Sequence, residues 1–175
     1  LESGELQYKA RQLADILEAT EGRLAILTQD NPDPDSIASA TALQAIAAEF
    51  GVEADIRYAG DIGHQENRAF VNLLGIELLA SDEEPSITEY DRIALIDNVQ
   101  SDDDDPDFEI DIFIDHYEPD EEIDAGFVDV RTNLSSTSTI LTKYLQEFDL
   151  GPSETVATAL LYGIRAETLD FKRDT

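Results

Sequence analysis

The sequence predicts a doubly wound α/β fold, with a mostly parallel sheet and helices on both faces. Short apolar runs alternate along the chain with longer helical segments, and this alternation is typical of βαβ units. Three of the apolar runs are followed closely by a carboxylate, as expected where parallel strands reach one ligand-binding edge of a sheet. The length of 175 residues and a hydrophobic content of 42% suit one domain with one core.

Hydrophobic spacing and turn residues divide the chain into predicted elements. The helical spacing predicts helices over residues 5–20, 37–50, 66–74, 135–148 and 153–166. Apolar or alternating runs predict strands over residues 23–28, 52–58, 76–79, 92–97, 110–116 and 126–131. Asp35 or Ser36 is the expected N-cap of the second helix, and Gly51 is its expected end. Residues 101–107 are expected to form a solvated acidic loop.

The predicted organisation is an N-terminal helix or linker over residues 1–21 and one domain over residues 22–175. The chain begins with Leu1 and contains no methionine, so we expect it to be part of a longer product.

The charge is the most unusual global property. Acidic residues outnumber basic ones by 40 to 11, which gives a formal net charge of -29 spread along the whole length. Such a chain repels itself in dilute buffer, but its apolar periodicity distinguishes it from a disordered acidic chain. We therefore expect a cytoplasm of multimolar salt, where screening is effective over a few ångströms. The absence of a basic footprint argues against binding to duplex nucleic acid.

The composition also excludes several classes of protein. The chain contains no cysteine, which excludes disulfides, thiolate chemistry and zinc–cysteine sites, and its two histidines disfavour a zinc hydrolase. No apolar run approaches the roughly 20 residues of a membrane span, and the start lacks the pattern of a signal peptide. We therefore expect a cytoplasmic protein with no membrane partner.

The loop after the first predicted strand carries the candidate chemistry. Asp33 and Asp35 lie there on a loop stiffened by two prolines, and two interpretations are open: ligands for a hard divalent cation, or ordinary turn residues in an acid-rich chain. Asp97 ends a second apolar strand, and Asp115 with His116 ends a third. Because these strand ends meet at one edge, the sequence favours a dinuclear metal site built from Asp33, Asp35, Asp97 and His116.

Four segments, in order, resemble the motifs of a known family. They are Gln29-Asp30-Asn31-Pro32-Asp33-Pro34-Asp35, then Asp97 closing an apolar strand, then Asp115-His116-Tyr117, then Gly163-Ile164-Arg165-Ala166-Glu167-Thr168. From about residue 20 onward the chain resembles the N-terminal domain of the DHH phosphoesterases, in the style of haloarchaeal members. That family includes RecJ-type exonucleases, nanoRNases, cyclic-dinucleotide phosphodiesterases and family II pyrophosphatases.

The resemblance implies a metal-dependent phosphoesterase that hydrolyses phosphodiester or phosphomonoester bonds of small nucleotides or short oligonucleotides. In such an enzyme two Mn²⁺ or Mg²⁺ ions share a bridging hydroxide, and the catalytic carboxylates would be Asp33, Asp35 and Asp97. One ion would take Gln29, Asp33 and Asp97, and the other would take Asp35, Asp97, His116 and Glu167. The family's C-terminal substrate-binding domain is not in this chain; we expect fusion to further domains, and a homodimer is one expected assembly.

Three positions depart from the family pattern. Gln29 and Tyr117 stand where the family has histidine, and Glu167 stands where it has aspartate. Tyr117 would then contact substrate phosphate as a neutral hydrogen-bond donor. These changes support a second hypothesis from another class, a non-catalytic nucleotide-binding sensor within a larger regulatory protein.

Several further residues have two open interpretations. His64, Asn67 and Arg68 either contact a phosphate or ribose of the substrate, or they simply form an exposed loop and helix start. The serine- and threonine-rich run 135–138 is favoured as a helix N-cap over a turn at the site. Asp115 is expected to orient His116 rather than bind a metal ion directly.

Overall fold

Six parallel strands form the sheet in the part of the chain that a computed structural model describes, which is residues 2–97, 108–170 and 172. The strands are β1 (Leu24–Leu27), β2 (Ala54–Tyr58), β3 (Leu78–Ala80), β4 (Arg92–Ile96), β5 (Ile110–Asp115) and β6 (Ala125–Val130). Their order across the sheet is β3-β2-β1-β4-β5-β6. This order confirms the predicted doubly wound α/β fold. The predicted acidic loop over 101–107 lies outside the described residues.

The chain winds outward from the middle of this sheet in both directions. β1 pairs with β2 on one side and with β4 on the other, so the order reverses between β1 and β4. In open α/β sheets a crevice forms outside the carboxyl ends of the strands at such a switch point, and ligands bind there. The loops that follow β1 and β4 begin at this crevice, and β5, which ends beside it, pairs with β4.

The α-helices are α1 (Glu2–Glu18), α2 (Pro34–Glu49), α3 (Gln65–Leu74), α4 (Thr137–Glu147) and α5 (Glu154–Glu167). Their buried apolar residues join one core cluster with alternate residues of the strands, including Ile26 of β1 and Ile96 of β4. Leu13 and Leu17 place α1 in the same cluster, so this helix packs on the domain. These helices therefore cover one face of the sheet.

A smaller apolar cluster covers the opposite face. Ala25, Leu95 and Phe113 belong to it, and a short 3₁₀ helix, Ile87–Glu89, packs against it through Ile87. The buried Arg57 of β2 fixes the segment before this helix. Its guanidinium donates hydrogen bonds to the carbonyl oxygens of Pro85 at 2.6 Å, Glu83 at 2.8 Å and Ser81 at 3.1 Å. The sequence predicted neither the 3₁₀ helix nor this role of Arg57.

The predicted N-cap of α2 was wrong by two or three residues. Asp33 is the cap: its backbone is extended, and its Oδ1 accepts the backbone N–H of Ser36 at 2.9 Å. Pro34 follows as the first helical residue, where its missing N–H and fixed φ are tolerated. The earlier start places Asp35 and Ser36 inside the first turn of α2. Neither side chain caps that helix, so both are available to line the crevice.

No helix in residues 2–97, 108–170 and 172 has the length and apolar character needed to cross a membrane.

Candidate metal centre

The loop between β1 and α2 is held in shape by the loop that follows β2. Asn31 has a positive φ of 52°, and its backbone N–H donates to the carbonyl of Ala59 at 3.0 Å. Its side-chain Oδ1 accepts the N–H of Asp61 at 2.8 Å. Gly60, with φ of 74°, lies against this amide, and a Cβ at position 60 would collide with it. The direction in which the loop enters α2 is therefore set by contacts with a neighbouring strand's loop.

Asp35 lies at the N-terminus of α4. Its carboxylate accepts the backbone N–H of Thr137 at 3.0 Å and that of Ser138 at 2.8 Å, and the residue is 1% exposed. A helix N-terminus offers free N–H groups and a positive dipole end, so it suits an anion. Burial, followed by the charge of Asp97, nevertheless raises the pKa of Asp35 to about 8. A cation beside Asp35 and Asp97 would offset the free-energy cost of keeping both carboxylates buried and ionised.

Asp97 directly follows β4 and turns into the crevice with a positive φ of 52°. Its N–H donates to the carbonyl of Ile114 at 3.0 Å, so the pairing with β5 fixes the turn. Both carboxylate oxygens of this buried residue accept hydroxyl hydrogen bonds. Ser36 Oγ donates to Oδ2 at 2.5 Å, and Thr137 Oγ1 donates to Oδ1 at 2.9 Å.

His116 lies against both carboxylates through one ring nitrogen. Its Nδ1 is 3.4 Å from Asp97 Oδ1 and 3.8 Å from Asp35 Oδ2, and it is hydrogen-bonded to Thr137 Oγ1 at 2.8 Å. Burial by itself lowers the pKa of this imidazole, but Asp97, Glu167 and the Asp35 charge outweigh burial and raise it to about 10. Nε2 is buried without a hydrogen-bond partner among the described residues, and Glu167 Oε1 lies 3.7 Å from it.

Asp35, Asp97 and His116 form a group whose ligand atoms lie within 4.8 Å of one another. Two buried carboxylates and an imidazole are the donors that divalent ions such as Mn²⁺ and Mg²⁺ accept. A buried ring nitrogen without a hydrogen bond is costly unless something occupies it. The residues present therefore fit a divalent cation.

Two further predicted ligands, Asp33 and Glu167, lie close to this group. Asp33 is partly buried; burial, then the charges of Asp97 and Glu167, raise its pKa. Glu167 is the last residue of α5, and its Oε1 accepts a hydrogen bond from the Tyr117 hydroxyl at 3.2 Å. The Tyr117 ring packs on the His116 ring, with 4.2 Å between centroids. Gln29 lies partly buried in the loop after β1.

Gly163 allows α5 to approach the site. A Cβ at this position would lie 2.7 Å from Ser138 Oγ, 2.9 Å from Ala38 Cβ and 3.1 Å from the carbonyl oxygen of Pro34. The motif glycine therefore permits α5 to pack against the N-terminal turns of α2 and α4. That packing brings Glu167 to His116.

Other predicted residues occupy more peripheral places. His64 precedes α3, Asn67 is buried in its first turn, and Arg68 is exposed, so the substrate contacts expected of these three stay a prediction. Asp115 is fully buried, and its Oδ1 accepts the N–H of Tyr117 at 3.0 Å while lying 3.9 Å from His116 Nδ1. Asp115 thus shapes the turn after β5, while the hydrogen-bond partner of His116 Nδ1 is Thr137 Oγ1.

Three polar residues that touch the site were missed as site residues. Ser36 and Thr137 bind Asp97, and the backbone N–H groups of Thr137 and Ser138 bind Asp35. Ser136 is the N-cap of α4, as favoured from the sequence, because its Oγ accepts the N–H of Thr139 at 3.1 Å. The signal that could have identified the site residues was a polar run at a helix start beyond the carboxyl end of a strand.

The fold and the cluster define an α/β domain with a candidate divalent-metal centre at its topological switch point. The family model described as the N-terminal domain of the DHH family matches residues 23–164, and the chain belongs to this family. The chain is also 42% identical, over 190 aligned positions, to an uncharacterised protein of Methanocaldococcus jannaschii. The match covers 100% of this chain and 39% of that protein.

Two solved structures share the fold. An exopolyphosphatase-related protein from Bacteroides fragilis matches with a TM-score of 0.70 and 17% identity, covering 95% of this chain and 52% of that one. RecJ from Thermus thermophilus in complex with Mn²⁺ matches with a TM-score of 0.53 and 14% identity, covering 91% of this chain and 24% of that one. At these identities the two likenesses show a shared fold.

Proposed function

We propose that this domain hydrolyses phosphodiester or phosphomonoester bonds of small nucleotides or short oligonucleotides with the help of divalent metal ions. The observation that carries the proposal is the buried Asp35–Asp97–His116 group at the switch point of a DHH-family domain. Several carboxylates buried together at a ligand-binding edge do not stabilise the fold by themselves, because each charge loses its hydration. A bound cation would offset that loss and would explain why the carboxylates are there.

The proposed ligands divide into two sets. Asp35, Asp97, His116 and Glu167 would hold one Mn²⁺ or Mg²⁺ ion, and Gln29, Asp33 and Asp97 would hold a second. When bound, such ions would neutralise negative charge on the phosphoryl group and activate a water molecule for attack on phosphorus.

The chain's own residues prepare the site for this reaction. Ser36 and Thr137 hold both oxygens of Asp97, so the shared carboxylate has a fixed orientation. The N-terminus of α4 holds Asp35. Tyr117, which is 40% exposed, presents a phenol at the outer side of His116. Its hydroxyl, which donates to Glu167 Oε1 at 3.2 Å, would turn to donate that hydrogen bond to a phosphate oxygen instead.

The wider setting is also a proposal. We propose action in a cytoplasm of high salt, which the net charge of -29 supports. We further propose that the domain works within a longer, multidomain and dimeric protein, with a substrate-binding part outside residues 22–175. The 39% coverage of the M. jannaschii protein supports the longer chain, because the relative extends well beyond the matched region.

The central experiment measures metal binding and hydrolysis together in 2 M KCl. The chain is titrated with Mn²⁺ by calorimetry, then assayed with bis-p-nitrophenyl phosphate, p-nitrophenyl phosphate and a 5′-phosphorylated dinucleotide. Asp97→Asn should lower Mn²⁺ affinity and hydrolysis by more than about 100-fold, because even residues behind a ligand cost 10–100-fold. Asp149→Asn is the matched control, because Asp149 is exposed beyond the opposite end of α4. Absence of Mn²⁺ binding by the unchanged chain would exclude the proposal.

A non-catalytic nucleotide sensor is the second candidate. Its support is the neutral Gln29 in one proposed ligand set, together with the loss of a histidine at Tyr117. If the sensor is correct, the chain binds a nucleotide with Mn²⁺ but does not hydrolyse it, and the double change Gln29→His with Tyr117→His creates hydrolysis. Hydrolysis by the unchanged chain, abolished by Asp97→Asn, would decide for the enzyme.

A further inference from the structure

Thr137 contacts every member of the buried Asp35–Asp97–His116 group. Its backbone N–H donates to Asp35 Oδ2 at 3.0 Å, and its Oγ1 donates to Asp97 Oδ1 at 2.9 Å. The same Oγ1 lies 2.8 Å from His116 Nδ1. Thr137 is fully buried, so solvent does not compete for these bonds.

The directions of these bonds follow from the number of protons available. A threonine hydroxyl carries one proton, and Thr137 Oγ1 donates it to Asp97 Oδ1. Because that proton is already used, the contact with His116 requires that Nδ1 carry a proton and donate it to Oγ1. The surroundings of Nδ1 agree, since oxygens of Asp97, Asp35 and Asp115 lie within 3.4, 3.8 and 3.9 Å of it.

The other ring nitrogen has the opposite environment. Nε2 is buried and makes no hydrogen bond to any residue in the described part of the chain, and Glu167 Oε1 is 3.7 Å away. We propose that Thr137 is a positioning residue that holds the His116 proton on Nδ1 and so presents the Nε2 lone pair, facing Glu167, to a divalent cation. The inference rests on the proposed metal-dependent function. It assigns the orientation of the imidazole to the Thr137 hydroxyl, which donates a hydrogen bond to Asp97 and accepts one from His116.

The first test identifies the nitrogen that binds metal. The chain is labelled with ¹⁵N-histidine in a His64→Gln background, so that every histidine signal comes from His116, and is loaded with diamagnetic Cd²⁺. The proposal requires the metal-bound ¹⁵N shift on Nε2 and an attached proton on Nδ1. A metal-bound shift on Nδ1 overturns it, and this measurement needs no change at Thr137.

The second test compares variants of one helix by Mn²⁺ calorimetry, with circular dichroism as the check on folding. Thr137→Val should lower Mn²⁺ affinity by about 10–100-fold, while Thr137→Ser keeps the hydroxyl and should stay within about threefold. Thr142→Val is the matched control, because the Thr142 hydroxyl bonds only the carbonyl of Ser138, at 2.8 Å, among the described contacts. Equal affinities for folded Thr137→Val and Thr142→Val would overturn the proposal.

A third measurement separates failure of the inference from failure of the proposed function. In the metal-free chain, the Nδ1 proton of His116 should exchange with water at least about tenfold faster in Thr137→Val than in the unchanged chain, because its hydrogen bond is lost. If the unchanged chain binds no metal, but exchange is still faster in Thr137→Val than in the unchanged chain, the proposed function fails and the direction of the hydrogen bond between His116 and Thr137 stands. If the exchange rate is unaffected, the inference fails whatever the metal affinity.

Discussion

Manganese binding should displace protons and therefore strengthen as pH rises. In the metal-free protein the pKa of Asp35 is raised to about 8 by burial and by the charge of Asp97, and the pKa of His116 is raised to about 10. At neutral pH each group holds a proton that a cation must displace, because a ligand binds through its deprotonated atom. The sign is fixed by this competition: fewer bound protons at higher pH mean a higher apparent affinity.

The size of the effect follows from the same two groups. Each displaced proton contributes about tenfold in affinity per pH unit, so the apparent Mn²⁺ affinity should rise about a hundredfold from about pH 6 to 7. Above about pH 8.5 Asp35 is already ionised, and the slope should fall to about tenfold per unit. Above that pH, only displacement of the His116 proton still makes the apparent Mn²⁺ affinity depend on pH.

Calorimetry in pairs of buffers with different ionisation enthalpies measures the protons released directly. The expected release is about two protons per ion near pH 6.5 and about one near pH 9. His116→Gln should reduce the release by about one proton, whereas Asp149→Asn should not change it. An affinity that is flat with pH, or a release near zero at pH 7, would refute the assigned protonation of this group.

Three further outcomes test the packing and the charge. Gly163→Ala should lower the free energy of unfolding by about 1–3 kcal/mol through overpacking and weaken Mn²⁺ binding, whereas Gly4→Ala, in open space on α1, should be neutral or stabilising; equal effects in chemical denaturation would contradict the crowding argument. Arg57→Met should cost about 1–3 kcal/mol, since three partly buried carbonyls lose the donor of a buried guanidinium, against little for the exposed Arg68→Met; similar denaturation midpoints would exclude a structural role for Arg57. The melting temperature should rise by about 10 °C or more between about 0.2 and 2 M KCl because salt screens self-repulsion, and a flat response in scanning calorimetry would remove the case for a high-salt cytoplasm.

The strands were predictable because parallel strands buried on both faces read as continuous apolar runs. The middles of two predicted strands, residues 93–96 and 112–114, are entirely apolar, and the structure places β4 and β5 there. The helix boundaries were harder to predict. Asp33, Asp35 and Ser36 are all good capping residues, and only the extended backbone before Pro34 selects Asp33.

The carboxylates of the site were predictable for a topological reason. Strand ends meet at one edge whatever the loops do, so Asp35 and Asp97 could be placed near each other without coordinates. The contacts of α4 could not be placed, because Thr137 lies 102 positions after Asp35 and no local pattern records which helix N-terminus meets which loop. The buried role of Arg57 was missed for the same reason, since its partners belong to an irregular segment 24–28 positions away.

The contact between Asn31 and Gly60 restricts how this sequence can vary. Gly60 has no room for a side chain because the Asn31 amide fills the space, and the amide bonds the backbone one residue further on. A larger residue at position 60 would need a smaller residue at position 31 and would also have to adopt the left-handed φ of 74°. A smaller residue at 31 would in turn release the loop that carries Asp33. The residues at positions 31 and 60 therefore depend on each other. A chain recombined from two related proteins should be tolerated only when both positions come from the same parent.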